Sequence, residues 1–455
     1  MLDKYIVQPH LRSGVALVMT PSTSFVSDQQ ANERRELDVI AETLTPKQRK
    51  AIEIQAETLA DHQKQTPHVH CLPTLTLYDI PVDQPRLDVE YRAASDIQFI
   101  PQTTNELTYI RMKFDISAVP EDLRWFIPLF SAMLGQLGTS KYKFDEIGTV
   151  LQTVSGGVSC SHLILPDTHD TSCYSEALVV ETLCLPHHVS NTLTILEQLF
   201  ADTQYTTPPN LAQIKSLVLS ASAAANASIA STGHSLAAYR ASMGLTSYAP
   251  AVESARGMTS IAALQQWADA IEADPAALDA LGAIFRRLAA LTFRRDQMGL
   301  SVVTEPHLVT QVDAELAKMT WQHHKQDDLA GRLGEGVFTM SSYFDPHTCQ
   351  TLDAYADAVE FAVGGHFTDE DVHQALLATF SSIDAPQAPS AKGKGLFTRG
   401  FTHDMLQARR SQLLGVTKAD LVRVATDHLA NAAKSHAVVV GKEESRQELV
   451  HRGFQ

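Results

Sequence analysis

The chain has 455 residues, 44% of them hydrophobic and 19% charged, with 36 basic against 52 acidic side chains and a net charge of −16. Two to three globular domains with ample core fit these figures at roughly 150 residues per domain. A nucleic-acid partner, which calls for basic patches, does not fit, and no apolar run approaches the roughly 18 residues of a membrane span. The acidic excess suits solubility first and a cationic ligand second.

Met1-Leu-Asp-Lys-Tyr-Ile-Val7 has neither an apolar signal core nor an Arg/Ser-rich amphipathic leader, so no address is expected in that stretch. Three β-branched runs punctuate the chain: Arg12–Pro21, Arg295–Pro306 and Ser435–Gly441. Each reads as a buried strand closing a unit, the first unit being only a tail over 1–22. From 23 to 71 the pattern predicts a charged helical hairpin. Leu37, Ile40 and Leu44 share one helix face, Thr45 with Gln48 forms a capping box, Pro46 suits the first turn, and Ile52, Ala56 and Leu59 continue a stripe.

The span 72–306 opens with strands. Ile110, Met112, Phe114 and Ile116 alternate with Tyr109, Arg111, Lys113 and Asp115, which predicts one buried face. Val119-Pro-Glu-Asp122 starts a helix running through Trp125, Phe126, Leu129, Phe130, Met133 and Leu134, apolar nearly all round. Gly156-Gly157 fits a tight turn or a close backbone approach. Helices follow at about 188–201 and 209–231. The last span, 307–455, is markedly shorter. A strand is predicted at Phe338–Tyr343, helices at about 348–363, 369–380, 402–413 and 418–430, and a Pro-rich break at Asp384–Ser390.

Chemistry-bearing motifs are scarce. The 19 histidines include no H-E-x-x-H or H-x-x-E-H, and no phosphate-cradling or nucleophile-elbow glycine motif occurs. His68, His70 and Cys71 form the densest metal-like cluster, yet lack a second ligand pair and read as a loop. His187-His188 and His323-His324 read as surface residues whose rings point apart. Gly233-His234-Ser235 reads as a helix start or packing site, and Arg294-Arg295 and Arg409-Arg410 as solvated or dipole-pairing charges. Asn226-Ala-Ser228 matches a glycosylation sequon on a predicted helix and is set aside. Cys71, Cys160, Cys173, Cys184 and Cys349 are odd in number and widely spaced, which points to reduced intracellular thiols.

Several segments resemble, in order, the presequence protease subfamily of the pitrilysin/insulysin zinc metallopeptidases. They are Leu72-Pro-Thr-Leu-Thr-Leu-Tyr-Asp-Ile-Pro81, Thr104-Asn-Glu-Leu-Thr-Tyr109, Val119–Phe130, Leu137-Gly-Thr139, Gly156-Gly-Val-Ser159, Gly233-His234, Ser342-Tyr-Phe-Asp-Pro346 and Ser382–Ser390. Each is weak alone; the collinear set spans almost the whole chain. The resemblance implies an α+β fold of metallohydrolase-like domains, each a sheet covered by helices. It assigns 1–22 to the tail of a preceding domain and 23–71 to a helical hairpin linker. A complete, non-catalytic third domain then takes 72–306, and a truncated fourth takes 307–455.

In that family two halves close around a chamber; the N-terminal half carries zinc, and the substrates are unfolded peptides, including targeting presequences. This chain is similar to the C-terminal half. Placing the zinc helix opposite Phe130–Leu134 puts Phe, Met and Leu where ligands and base belong, so the chain by itself is expected to be inactive and to hold no cofactor. Family members carry an Arg and a Gly-Gly-Ala-Tyr strand that helps orient the peptide. Here Gly331-Arg332-Leu-Gly-Glu-Gly336 runs straight into Val337-Phe338. Either Arg332 and Phe338 are remnants of that substrate-binding pair, or the strand around 311–335 is deleted.

The implied partners are an N-terminal catalytic half, on the same polypeptide or another, and an unfolded peptide, with no nucleic acid or membrane. The implied compartment is the mitochondrial matrix, or a plastid. Three readings stay open: half of a working protease, a catalytically dead scaffold or peptide-binding subunit, and an incomplete reading frame. A strand tail at 1–22 without its sheet would leave apolar surface exposed, so poor solubility is expected of the isolated chain.

Overall fold

The structure, a computed structural model, describes residues 3–8, 15, 17–64, 75–92, 97–167, 170, 172–318, 336–430, 435–443 and 446–453. The chain divides into two compact units, Met1–Thr74 and Leu75–Gln455. In the first, helices Phe25–Thr43 and Pro46–Lys64 form the expected hairpin. Thr45 makes the capping box: its N–H and hydroxyl donate to Gln48 Oε1 at 2.9 and 2.8 Å. Arg49 donates back to the Ala41 carbonyl across the corner. Leu37, Ile40, Ile52 and Leu59, the residues of the apolar stripes, are exposed. The strand expected at 12–21 is not found among its described residues: Val15, Leu17, Val18 and Met19 are exposed and in no strand. Among its described residues the unit holds no other strand to pair with them.

The second unit is built on one six-stranded sheet, ordered β1-β2-β6-β3-β5-β4. The strands are β1 (Glu90–Arg92), β2 (Ile97–Pro101), β3 (Thr108–Asp115), β4 (Val158–Pro166), β5 (Tyr174–Cys184) and β6 (Met298–Thr304). Of these pairings, only β2 with β6 is parallel. One face packs on helices. Ile110, Met112 and Phe114 of β3, Leu178 and Val180 of β5, and Leu300 and Val302 of β6 enter a single core with Leu193, Leu196, Phe285 and Leu288. At its centre Phe114 meets Phe200 and Phe293 edge-on at 5.2 and 5.3 Å. Such rings combine large apolar burial with a favoured geometry. The architecture is thus α+β, with the sheet covered by helices, as read from the sequence.

The local readings divide. The apolar helix after Val119 is broken in two, Glu121–Arg124 and Ile127–Ala132, with Trp125 and Phe126 at the corner. Pro128 lacks the N–H that a continuous helix would spend there. Gly156 and Gly157 fill both roles expected of them: Gly157 has φ +99°, and a side chain on Gly156 would collide with Leu183. The second long helix extends over Pro208–Ser242, so Gly233-His234 lies inside it and not at a helix start. Val440 packs over Gly233, and His436 Nδ1 lies 2.9 Å from the Ala241 carbonyl. That contact replaces the closing strand expected at Ser435–Gly441, since no sheet edge accepts it. Phe338–Tyr343 is likewise not a strand.

The predicted helices of the last span are present. They are Thr348–Val363, Asp369–Ile383, His403–Leu414, and Lys418–Val424 continuing as a π-helical turn Ala425–Leu429.

Candidate functional site

The sheet's second face is also covered, and by the chain itself. Register places Tyr91 opposite Gln98, Gln98 opposite Ser301, Ser301 opposite Arg111, Arg111 opposite Glu181, and Glu181 opposite Ser159. Paired residues share a face, so these six side chains form one polar row crossing all six strands. The alternation on β3 predicts an exposed Arg111. In the structure Arg111 is 1% exposed, because residues 389–399 lie across it.

That strap comprises the turn Pro389–Ala391, Gly393, and the short helix Lys394–Arg399, closed by Gly400. Gly393 has φ +68°, and a Cβ there would sit 2.0 Å from Ile100 Cδ1. Only glycine meets both demands. The Arg111 guanidinium donates to Glu181 Oε1 at 3.2 Å, to the Lys392 carbonyl at 3.1 Å and to the Ser390 carbonyl. Lys113 donates to the Thr398 carbonyl at 3.3 Å. In return the strap's Lys394 reaches Glu181 Oε2 at 2.7 Å, and its Lys392 reaches Gln102 Oε1 at 2.6 Å.

Burial lowers the pKa of Arg111, with Glu181 opposing, and burial likewise lowers that of Lys113, with Asp115 opposing. An arginine stays cationic even so, and the carbonyls replace its lost hydration. Gln98 Oε1 and Ser301 Oγ, both buried in the row, have no hydrogen-bond partner among the described residues.

The strap is tied at its two ends. Arg410 grips Asp384 with two bonds of 2.6 and 2.8 Å, donates to the Pro81 carbonyl at 2.7 Å, and lies over the Phe380 ring. The side-chain bond from Arg410 holds the Asp384 carboxyl below the usual range. Gln407 accepts from the Gln84 N–H and donates to the Val82 carbonyl. Arg410 is therefore a buried clamp and not the solvated charge the Arg409-Arg410 pair suggests. Chemically, the face offers buried donors aimed at main-chain carbonyls and a carboxylate aimed at an ammonium. That set binds and orients an extended chain.

The residues singled out from sequence lie elsewhere. Phe338 is 64% exposed and in no strand, and Arg332 lies outside the described residues. His68, His70, Cys71, His323 and His324 also lie outside them. The rings of His187 and His188 do not point apart; their centroids are 4.3 Å from each other in a 3-10 turn. At the position matched to the zinc helix, Phe130 and Met133 are buried in the core, Phe130 against Phe285 and Phe293. These side chains do not fit a zinc ion, and no group of three or more His, Cys, Asp or Glu among the described residues could hold a metal.

Arg111, Glu181, Gln98 and Ser301 escaped the sequence reading because their alignment arises only from strand pairing. The one available signal was two cations, Arg111 and Lys113, on a single strand face.

The profile of the family described as Peptidase M16 subfamily C associated matches residues 19–266, over half of the chain. Three curated proteins named presequence protease, mitochondrial, align with it. That of Danio rerio is 26% identical, covering 94% of this chain and 50% of that protein. That of Mus musculus is 26% identical, with 95% and 51% covered. That of Schizosaccharomyces pombe is 24% identical, with 98% and 51% covered. The chain thus spans about half the length of the curated relatives it matches. Among solved structures, a conserved protein from Enterococcus faecalis V583 is similar at TM-score 0.49 and 9% identity, over 72% of this chain and 93% of that one. A peptidase M16 inactive domain from Pseudomonas fluorescens is similar at 0.47 and 12%, over 75% and 94%. The chain belongs to the family associated with subfamily C of the M16 peptidases and corresponds to the C-terminal half of its presequence-protease-type members.

Proposed function

We propose that this chain is the non-catalytic half of a presequence-protease-like zinc metalloendopeptidase, closing a chamber around unfolded, often basic, targeting peptides in the mitochondrial matrix. The observation that carries the reading is the burial of Phe130 and Met133 where the zinc helix would lie, in a chain whose match to half of each relative is nearly end to end. Zinc, the activated water and its carboxylate base would all come from an N-terminal catalytic half, in cis or in trans. The names of the curated relatives support the compartment. The net charge of −16 suits cationic peptides and argues against a nucleic-acid partner. Among the described residues no helix is long and apolar enough to cross a membrane.

The test is to isolate the endogenous protein in native form and look by mass spectrometry for co-purifying peptides that contain H-x-x-E-H. The preparation is then assayed on a fluorogenic basic peptide with and without a zinc chelator. Chelator-sensitive cleavage together with such peptides supports the proposal. A chain recovered at its written length, inert and without them, overturns it. A second reading, a peptide-binding scaffold without catalysis, is favoured by the exposure of Phe338 and the absence of a strand at Phe338–Tyr343. That second outcome would establish it.

A further inference from the structure

We infer that the outer face of the sheet is a peptide-binding site, occupied in cis by the strap 389–399 and able to take in its place an extended peptide carrying lysine or arginine. The inference rests on the reading that this chain handles unfolded peptides, but it requires no catalytic half.

Three observations carry it. First, the sheet recognises the strap by main chain: Arg111 and Lys113 donate to the carbonyls of Ser390, Lys392 and Thr398. Contacts of that kind read an extended backbone and not its sequence. Second, the side chains the face does select are cationic: Lys394 pairs with Glu181 Oε2, and Lys392 bonds Gln102 Oε1. A basic peptide can reproduce both contacts. Third, the face has hydrogen-bonding capacity the strap does not use. Gln98 Oε1 and Ser301 Oγ are buried in the same row and have no partner among the described residues.

The strap is also suited to leave. Ala385–Ala388, Ser390, Ala391 and Lys394 are exposed, and only Phe397 and Thr398 within it are buried with Gly400 beyond. Its fit depends on Gly393, which has no room for a side chain against Ile100.

The experiment uses the full chain and a fluorescein-labelled peptide copying residues 385–399, with binding read by anisotropy. In Gly393→Val the strap is forced off the face, and the probe is expected to bind at least tenfold more tightly than to the unsubstituted chain. Adding Arg111→Met to that variant, or Lys392→Glu and Lys394→Glu to the peptide, should abolish at least tenfold of the gain. A folded Gly393→Val chain, judged by near-UV dichroism, that binds no better than the parent overturns the inference.

A second measurement needs no substitution and decides the matter if Gly393→Val fails to fold. In hydrogen exchange of the unsubstituted chain, excess unlabelled peptide should speed exchange at amides 391–400 while β3 stays protected. Exchange at 391–400 that is unchanged by millimolar peptide overturns the proposal. Either negative leaves the zinc-partner reading standing, because no protease partner is present in these assays.

Discussion

At the scale of single residues, this unit is fastened by charged side chains that donate to, or accept from, the main chain. Arg410 ties Asp384, the Pro81 carbonyl and the Phe380 ring together from a fully buried position. Arg410→Ala leaves a buried carbonyl and a carboxylate without their donor, and is expected to destabilise the chain by about 2–4 kcal/mol in urea denaturation. A loss under about 0.5 kcal/mol would show the clamp to be ornamental.

Glu305 works in the opposite sense. Its carboxylate accepts the Thr104 N–H at 2.7 Å, with the Asn105 and Glu106 amides adding to it, where Asn105 and Glu106 hold positive φ. Those bonds, led by that of Thr104, lower its pKa. A lowered folded-state value means the stabilisation is whole above the ordinary carboxylate range and is lost as pH falls through the folded value. Comparing the parent with Glu305→Gln between roughly pH 6 and pH 3, the stability difference should shrink on acidification. A difference that stays constant with pH would assign the role to shape and not charge.

At the scale of elements, the hairpin was legible because its signals are local. Thr45, Pro46 and Gln48 specify a helix start within four residues, and the structure shows that start with the predicted bonds. The β3 strand was legible through alternation, and the helices of the last span through capping at Thr368 and Thr417. What could not be read is whatever depends on a distant partner. Ser435–Gly441 has the composition of a strand, but a strand also needs an edge to join, and this segment rests on the long helix instead. Arg111 looked solvent-facing because nothing near it in sequence announces a strap some 280 residues on, a separation recorded by the Arg111–Lys392 bond.

The hairpin makes a prediction at this scale. Leu37, Ile40, Ile52 and Leu59 present apolar surface, and Val15, Leu17, Val18 and Met19 add more. Exposed apolar patches of this kind mark interaction sites or association liabilities. By light scattering on a sizing column, the isolated chain is expected to run larger than a monomer, and a variant with Leu37, Ile40, Ile52 and Leu59 all changed to Gln to shift towards one. A sharp monomer peak from the unsubstituted chain would refute this.

At the scale of the whole molecule, the strand order has a consequence for how the protein is made. The strand β6 is the last of the six to be synthesised, yet it lies between β2 and β3. During translation β3, β5 and β4 can pair as a meander once Cys184 has emerged, whereas β1 and β2 have nothing to join until Thr304 is made. Until then β3 offers a growing chain's most dangerous surface, a bare edge from Thr108 to Asp115, to any neighbouring nascent polypeptide. The strap that covers Arg111 arrives later still. A ribosome that stalls between β5 and β6 therefore releases a folded-looking but unsealed intermediate, and chaperone dependence should be concentrated in that interval of synthesis.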